Sequence, residues 1–120
     1  MQYTDSHMWI RMENEVGTVG ISRYGREELG DIVHIELPRI GQDVVIGEEV
    51  AVLESTKAAV DIYSPVSGRI VAINDILREK PNVLNDFPET TGWLFAIALS
   101  HPDELNSFYD LADYQTFIHC

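Results

Sequence analysis

Lys57 stands in the segment ESTKAAVDIYSPVSG, running from Glu54 to Gly68, and is one of two lysines in a chain of 120 residues. Val50, Val52 and Leu53 lead into it as strand formers, and Ile62 and Tyr63 lead away. Between them, Ser55-Thr56-Lys57-Ala58-Ala59 sets one long side chain among short ones, the composition of a hairpin tip that presents a lone amine. An amine held this way suits covalent attachment better than it suits a binding pocket. A modifying enzyme must take the lysine into its own active site, and small neighbours on a stiff turn leave that approach open. Glu54 and Asp61, one on each flank, can orient the segment for such an enzyme. Taken alone, the same turn also describes an ordinary exposed lysine.

Other chemistry is sparse. The histidines His7, His34, His101 and His119 show no close metal-ligand spacing, and with Cys120 they form no nucleophile pair, so a catalytic domain is not expected. His34 lies on the polar side of its strand and is a candidate to line a cleft. Cys120 is the only cysteine and the last residue, which excludes an intrachain disulfide and reads as a frayed terminal thiol.

The length predicts one domain over residues 1–120, and an apolar fraction of 45% is that of a folded globular chain. A net charge of −12 argues against nucleic acid and against an anionic membrane surface, both of which need basic patches. It serves solubility first, and it also suits attraction to basic patches on larger enzymes. The chain has no apolar stretch of transmembrane length, and its start, MQYTDSHMWIRMENE, lacks the basic and apolar regions of a signal peptide. The cytosol is the expected compartment.

The elements that must hold the lysine turn read as strands. Six of the eight glycines fall within the first 47 residues, between short apolar runs. Val33, Ile35 and Leu37 alternate with His34 and Glu36, predicting a half-buried strand that ends at Pro38. Ile70 to Ile73 is apolar on both faces and predicts a central strand. Trp93, Phe95, Ile97 and Leu99 predict a strand with large groups on one face, and Leu94, Ala96 and Ala98 supply smaller ones on the other. Ser22 is placed to cap a short helix over Arg23–Leu29, with Gly30 beyond its end, although Glu27 and Glu28 oppose the dipole there. A second helix is expected from Pro102, with Leu105, Phe108 and Leu111–Ala112 packing on the sheet, and another helical turn over Asp113 to Ile118. Lys80 to Asn85 and Phe87-Pro88 read as an irregular loop.

These residues together resemble the H-protein of the glycine cleavage system, whose lysine segment commonly reads ESVKAASD followed by a YSPVSG-like stretch. Glu54, Ser55, Lys57, Ala58, Ala59, Asp61 and Tyr63 to Gly68 match it. Further matches follow in order: His7 and Trp9, Val19-Gly20-Ile21, Leu29-Gly30-Asp31-Ile32-Val33, Leu37-Pro38, Pro81 and Asn85, Gly92-Trp93, and Pro102-Asp103-Glu104-Leu105. The resemblance implies a mainly β fold, a flattened barrel or barrel-sandwich hybrid, with short helices after strand one and at the C-terminus. It implies lipoic acid amide-linked to Lys57, with no catalysis by the carrier itself. Its partners would be a pyridoxal-phosphate glycine decarboxylase, a tetrahydrofolate-dependent aminomethyltransferase, a flavin dihydrolipoyl dehydrogenase, and a lipoate ligase or lipoyl transferase. A tethered arm would face a docked partner at an effective concentration of order mM.

Two positions depart from the family. His7-Met8-Trp9 replaces His-Glu-Trp, and the family's glutamate helps hold the loaded aminomethyl arm in a surface cleft; a thioether makes no charged contact with an amine. Val60 replaces a serine and is expected on the strand face. The departure at Met8 admits a second role, an H-like lipoyl carrier in lipoyl relay or in an ADP-ribosylation-linked system. An unmodified interaction module is a third. A biotinyl carrier is disfavoured because Thr56 and Ala58, rather than methionines, flank Lys57.

Overall fold

The computed structural model describes residues 1–119, so the expectation for Cys120 lies outside the described residues. Among the described residues, nine strands build two antiparallel sheets, with several short helices between and after them. The six-stranded sheet takes β1 (Gln2–Tyr3), β2 (Met8–Glu13), β3 (Val16–Ile21), β5 (Asp43–Val44), β8 (Gly68–Ile73) and β9 (Phe95–Leu99), in the spatial order β1-β2-β3-β9-β8-β5. The three-stranded sheet takes β4 (Ile32–Glu36), β6 (Glu49–Ser55) and β7 (Ala59–Tyr63), in the order β4-β6-β7. Apolar side chains from both sheets, including Ile10, Val19, Ile35, Leu53, Ile70 and Ile97, meet in one buried cluster, the arrangement of a flattened barrel-sandwich. Trp9 and Tyr3 project the other way and form a second buried cluster with Tyr114.

Helix α1 spans Arg23–Leu29 as its cap signals predict: the Ser22 hydroxyl accepts from the Gly25 N–H at 3.1 Å. It follows three strands rather than one. A bulge between Ile32 and His34 breaks the expected alternation in β4, so Ile32 and Ile35 are buried while Val33 is exposed. In β8 Ile70 is buried but Val71 faces out, because successive side chains of a strand point to opposite faces of the sheet and one of those faces is open here. Trp93 and Leu94 precede β9 and do not extend its alternation: Leu94 joins the main core and Trp93 the aromatic cluster.

The stretch from Ile76 to Asp86 is helical rather than irregular, forming α2 (Ile76–Glu79) and α3 (Asn82–Asp86) around buried Leu77 and Leu84. Asn85 anchors α3 to β4, accepting from the Ile32 N–H at 2.8 Å and donating to the Ile32 carbonyl at 3.0 Å. At the C-terminal end, a 3-10 helix over Pro102–Ser107 is followed by α4 (Leu111–Ile118), with extended chain between them. The break arises because Tyr109 exchanges two 2.8 Å backbone hydrogen bonds with Tyr3, covering the edge of β1. Leu105 and Phe108 therefore pack on the core as expected, whereas Leu111 and Ala112 are exposed. Asp110 caps α4, accepting from the Asp113 N–H at 2.8 Å.

Candidate functional site

The lysine turn joins β6 to β7, which pair with Glu54 opposite Ala59. Ser55 locks it. Its N–H donates to the Ala58 carbonyl at 2.8 Å, and its hydroxyl accepts from the N–H groups of Lys57 and Ala58 at 3.1 and 3.2 Å. The Thr56 N–H donates to the Asp31 carbonyl at 3.0 Å and ties the tip to the segment that leaves α1. The backbone at Lys57 is thus fixed on both sides while the side chain is exposed. The stem lies across Gly30: a β-carbon built there would sit 3.4 Å from Lys57 Cε and 3.7 Å from Cδ. Gly30 has φ +82 and ψ −168, a conformation open essentially to glycine alone.

Beside Gly30 opens a cleft of about 270 Å³. One wall is residues 60–63 of β7; four consecutive residues line it because β7 is the free edge of its sheet. The other wall is the face of α1 that carries Gly25, Glu28 and Leu29, three and four residues apart. Met8 and Ile21, both 3% exposed, form the floor, and Ser6 and His7 close one end. The walls are mainly apolar. Two carboxylates line the cleft, Glu28 and Asp61, and neither arginine nor lysine does. Among the described residues neither carboxylate lies in an ion pair. The Glu28 carboxylate close by pushes the Tyr24 phenol above its ordinary pKa. The Asp61 carboxylate close by raises the Glu49 carboxyl above its ordinary value.

A relay of side chains backs the α1 wall. His7 Nδ1 lies 2.8 Å from the Tyr114 hydroxyl, which lies 2.6 Å from the hydroxyl of Ser22, the cap of α1. His7 also sets its ring 4.7 Å from that of Tyr24, and Tyr114 stacks on Tyr3 at 4.5 Å. The C-terminal helix therefore fixes the position of the cleft wall.

The residues singled out in the sequence separate into two groups. Met8, Asp61 and Val60 line the cleft, and Met8 is part of its floor. Glu54 is exposed; the register puts it on the same face of the hairpin as Asp61. His34 is not in the cleft. It sits on β4 opposite Glu54, and β6 intervenes between it and β7, so the order of the sheet keeps it away. Glu28 and His7 were not foreseen as cleft residues. The signal for Glu28 was available in the spacing of Gly25, Glu28 and Leu29 on a helix whose cap was legible.

The family model described as Glycine cleavage H-protein matches residues 1–120. Among curated proteins, the glycine cleavage system H protein of Alcanivorax borkumensis is 47% identical over 118 residues, covering 98% of this chain and 92% of that one. That of Thermotoga maritima is 45% identical over 116 residues, covering 97% and 94%. Among solved structures, the crystal structure of a glycine cleavage system H protein from Mycobacterium marinum superposes with a TM-score of 0.90 at 29% identity, covering 99% of this chain and 96% of that one. The chain belongs to the glycine cleavage H-protein family, the carriers that bear lipoate covalently on a lysine in the glycine cleavage system.

Proposed function

We propose that Lys57 is the lysine that carries the lipoyl group, and that the cleft beside Gly30 receives the arm between encounters with partner enzymes. The observation that carries this reading is the course of the lysine stem over Gly30, which follows cleft residue Leu29 in the chain, with the β7 wall of the same apolar cleft starting three residues beyond Lys57. The residues present fit the group: an exposed amine on a locked turn, a stem packed over Gly30, and a neighbouring cleft with mainly apolar walls.

When bound, lipoate supplies a dithiolane that takes up the aminomethyl unit of glycine and gives it up again. The chain's own residues do the rest. Ser55 holds the tip in one shape, so a partner meets a single geometry and little ordering entropy is lost on docking. Met8, Ile21 and Ile62 offer the arm an apolar lining inside the cleft. Acylation would convert the Lys57 ammonium to a neutral amide, removing one positive charge from the hairpin tip.

The protein works with the other glycine cleavage enzymes. In finer terms, the proposed partners are a pyridoxal-phosphate glycine decarboxylase, an aminomethyltransferase and a dihydrolipoyl dehydrogenase, with chemistry performed by them and transport by this chain. A lipoate ligase or lipoyl transferase would attach the cofactor, with Glu54 and Asp61 on one hairpin face as its recognition pair.

Intact mass spectrometry after incubation with lipoate, ATP and a lipoate ligase tests the attachment. The expected result is one lipoyl mass on the wild type and none on Lys57→Arg, in which Lys80 remains as the alternative lysine. An unchanged wild-type mass with an active ligase would sink the assignment. Carboxyl exchange between glycine and bicarbonate, catalysed by a glycine decarboxylase with the lipoylated protein, then separates glycine cleavage from an H-like carrier role.

A further inference from the structure

The lysine turn is stiff within itself, but bonds inside a turn do not fix its attitude to the rest of the fold. Ser55 accepts from the N–H groups of Lys57 and Ala58, and all three residues belong to the hairpin. Support from the body of the protein comes from the β4 flank. Ser55 pairs with Ile32, the Thr56 N–H donates to the Asp31 carbonyl at 3.0 Å, and the Lys57 stem packs on Gly30. The other flank is β7, the free edge of its sheet. Residues 30–32 therefore set the direction in which the turn presents its amine.

These three residues join α1 through Gly30, at φ +82, and a glycine joint resists bending least. Two side chains brace it. Asn85 bonds both backbone groups of Ile32, and Arg26 reaches across the joint from α1. The Arg26 Nε donates to the Asn85 carbonyl at 3.0 Å, and its Nη2 lies 3.7 Å from Asp31 Oδ1. Its side chain is 23% exposed, against 63% and 51% for Arg69 and Arg78, the other ion-paired arginines among the described residues. Its contacts are thus the least open to water of the three. One planar guanidinium links α1, α3 and the segment beneath the lysine turn.

We propose that Arg26 is the positioning residue of the attachment site: by holding Asp31 and Asn85 it keeps the lysine turn in the attitude that a lipoate-attaching enzyme takes up. This rests on the reading that Lys57 carries the arm. Without the guanidinium the turn rocks on residues 30–32 with its internal bonds intact, and only a fraction of the molecules is ready for modification. A competent fraction f raises the apparent binding constant by 1/f and leaves the bound complex unchanged. The signature is a higher KM for the acceptor protein at constant kcat.

The test follows lipoylation of the full-length protein by intact mass, with a lipoate ligase, lipoate and ATP, over a range of acceptor concentrations. Arg26→Gln is expected to raise KM about threefold to fivefold, the scale of one lost hydrogen bond, with kcat within about twofold. Arg26→Lys keeps the charge but not the fork that spans two acceptors, and its KM should fall between the two. Arg23→Gln removes the same charge from an exposed position of α1 and should change KM by less than about twofold. Hydrogen exchange of the unmodified protein, resolved by NMR at single amides, supplies a second readout. In Arg26→Gln the Thr56 amide, bonded to Asp31, should exchange about threefold to fivefold faster, while the Ala58 amide, bonded to Ser55 inside the turn, keeps its wild-type rate. Equal KM in wild type and Arg26→Gln overturns the assignment, and so does a loss confined to kcat. Equal acceleration at Thr56 and Ala58 also overturns it, because it marks general loosening. Should Arg26→Gln not fold, Arg26→Lys decides, and a wild-type KM in that variant overturns the proposal. A wild type that gains no lipoyl mass overturns the attachment at Lys57 before Arg26 is tested, so the two failures are distinct.

Discussion

Lys57 Cε lies 3.4 Å from the point that a β-carbon on Gly30 would occupy, so the lysine at the hairpin tip and the glycine that ends α1 are packed partners. That distance is an ordinary van der Waals contact, and the lysine stem could move aside for a methyl group. The backbone could not adapt as easily, because φ +82 with ψ −168 is a region that side chains other than glycine's scarcely enter. Gly30→Ala should therefore cost about 1–3 kcal/mol of stability, through strain rather than collision. Urea denaturation measures the loss. The rate at which lipoyl mass appears should fall as well, since the strained segment carries the Asp31 carbonyl that anchors Thr56.

Asn85 closes both backbone groups of Ile32 with one amide, doing for the start of β4 what a neighbouring strand would do. Asn85→Ala leaves that N–H and carbonyl without their partner beside a core that contains Ile32 and Leu84. The expected loss is about 1–3 kcal/mol by denaturant unfolding. Asn85→Asp should also destabilise, because a carboxylate keeps the acceptor for the N–H but loses the donor to the carbonyl. A variant as stable as wild type would show that water replaces the amide at no cost.

Local rules made the lysine turn and α1 legible. Ser55 among short residues predicted a tight tip, and Ser22 with Gly30 bracketed the helix to the residue. Misreadings arose where a distant segment overrode a local pattern. Val33 reads as inward by alternation, but the bulge in β4 turns it out. The helical spacing of Phe108 and Leu111 is broken by Tyr3, more than a hundred residues away, whose backbone captures Tyr109. His34 looked like a cleft residue because its face is polar, yet sheet order decided the matter and sequence spacing does not encode it. The cleft joins residues from β2, α1 and β7, so local spacing could show only its helix face, and Met8 was reached through the family resemblance instead.

Ser22 caps α1 and also meets the Tyr114 hydroxyl, so the helix that walls the cleft and the C-terminal helix share one buried hydroxyl. Ser22→Ala should cost about 1–2 kcal/mol from the cap alone. Tyr114→Phe keeps the cap but releases both Ser22 and His7 Nδ1. Because the two residues act on one relay, the double variant should lose less than the two single losses added together, with a coupling of about 0.5 kcal/mol or more. Strict additivity in a denaturation cycle would mean that the relay does not link the two helices.

Tyr3 gives the fold a defined alkaline limit. Burial first, then the Glu89 charge and the hydrogen bond to it, push the Tyr3 phenol from 10.0 up to about 12. Its hydroxyl donates to Glu89 Oε1 at 3.2 Å, and its ring stacks on Tyr114, itself raised chiefly by burial. The folded pKa lies above the unfolded one, so the native state retains a proton that the unfolded chain releases. The stability from this group is therefore complete below pH 10 and is lost as pH rises through about 12. Urea midpoints measured across that window should fall with pH in the wild type. In Tyr3→Phe the fall should be shallower, with Tyr114 supplying what remains. An identical slope in the two proteins would assign the alkaline limit to groups other than Tyr3.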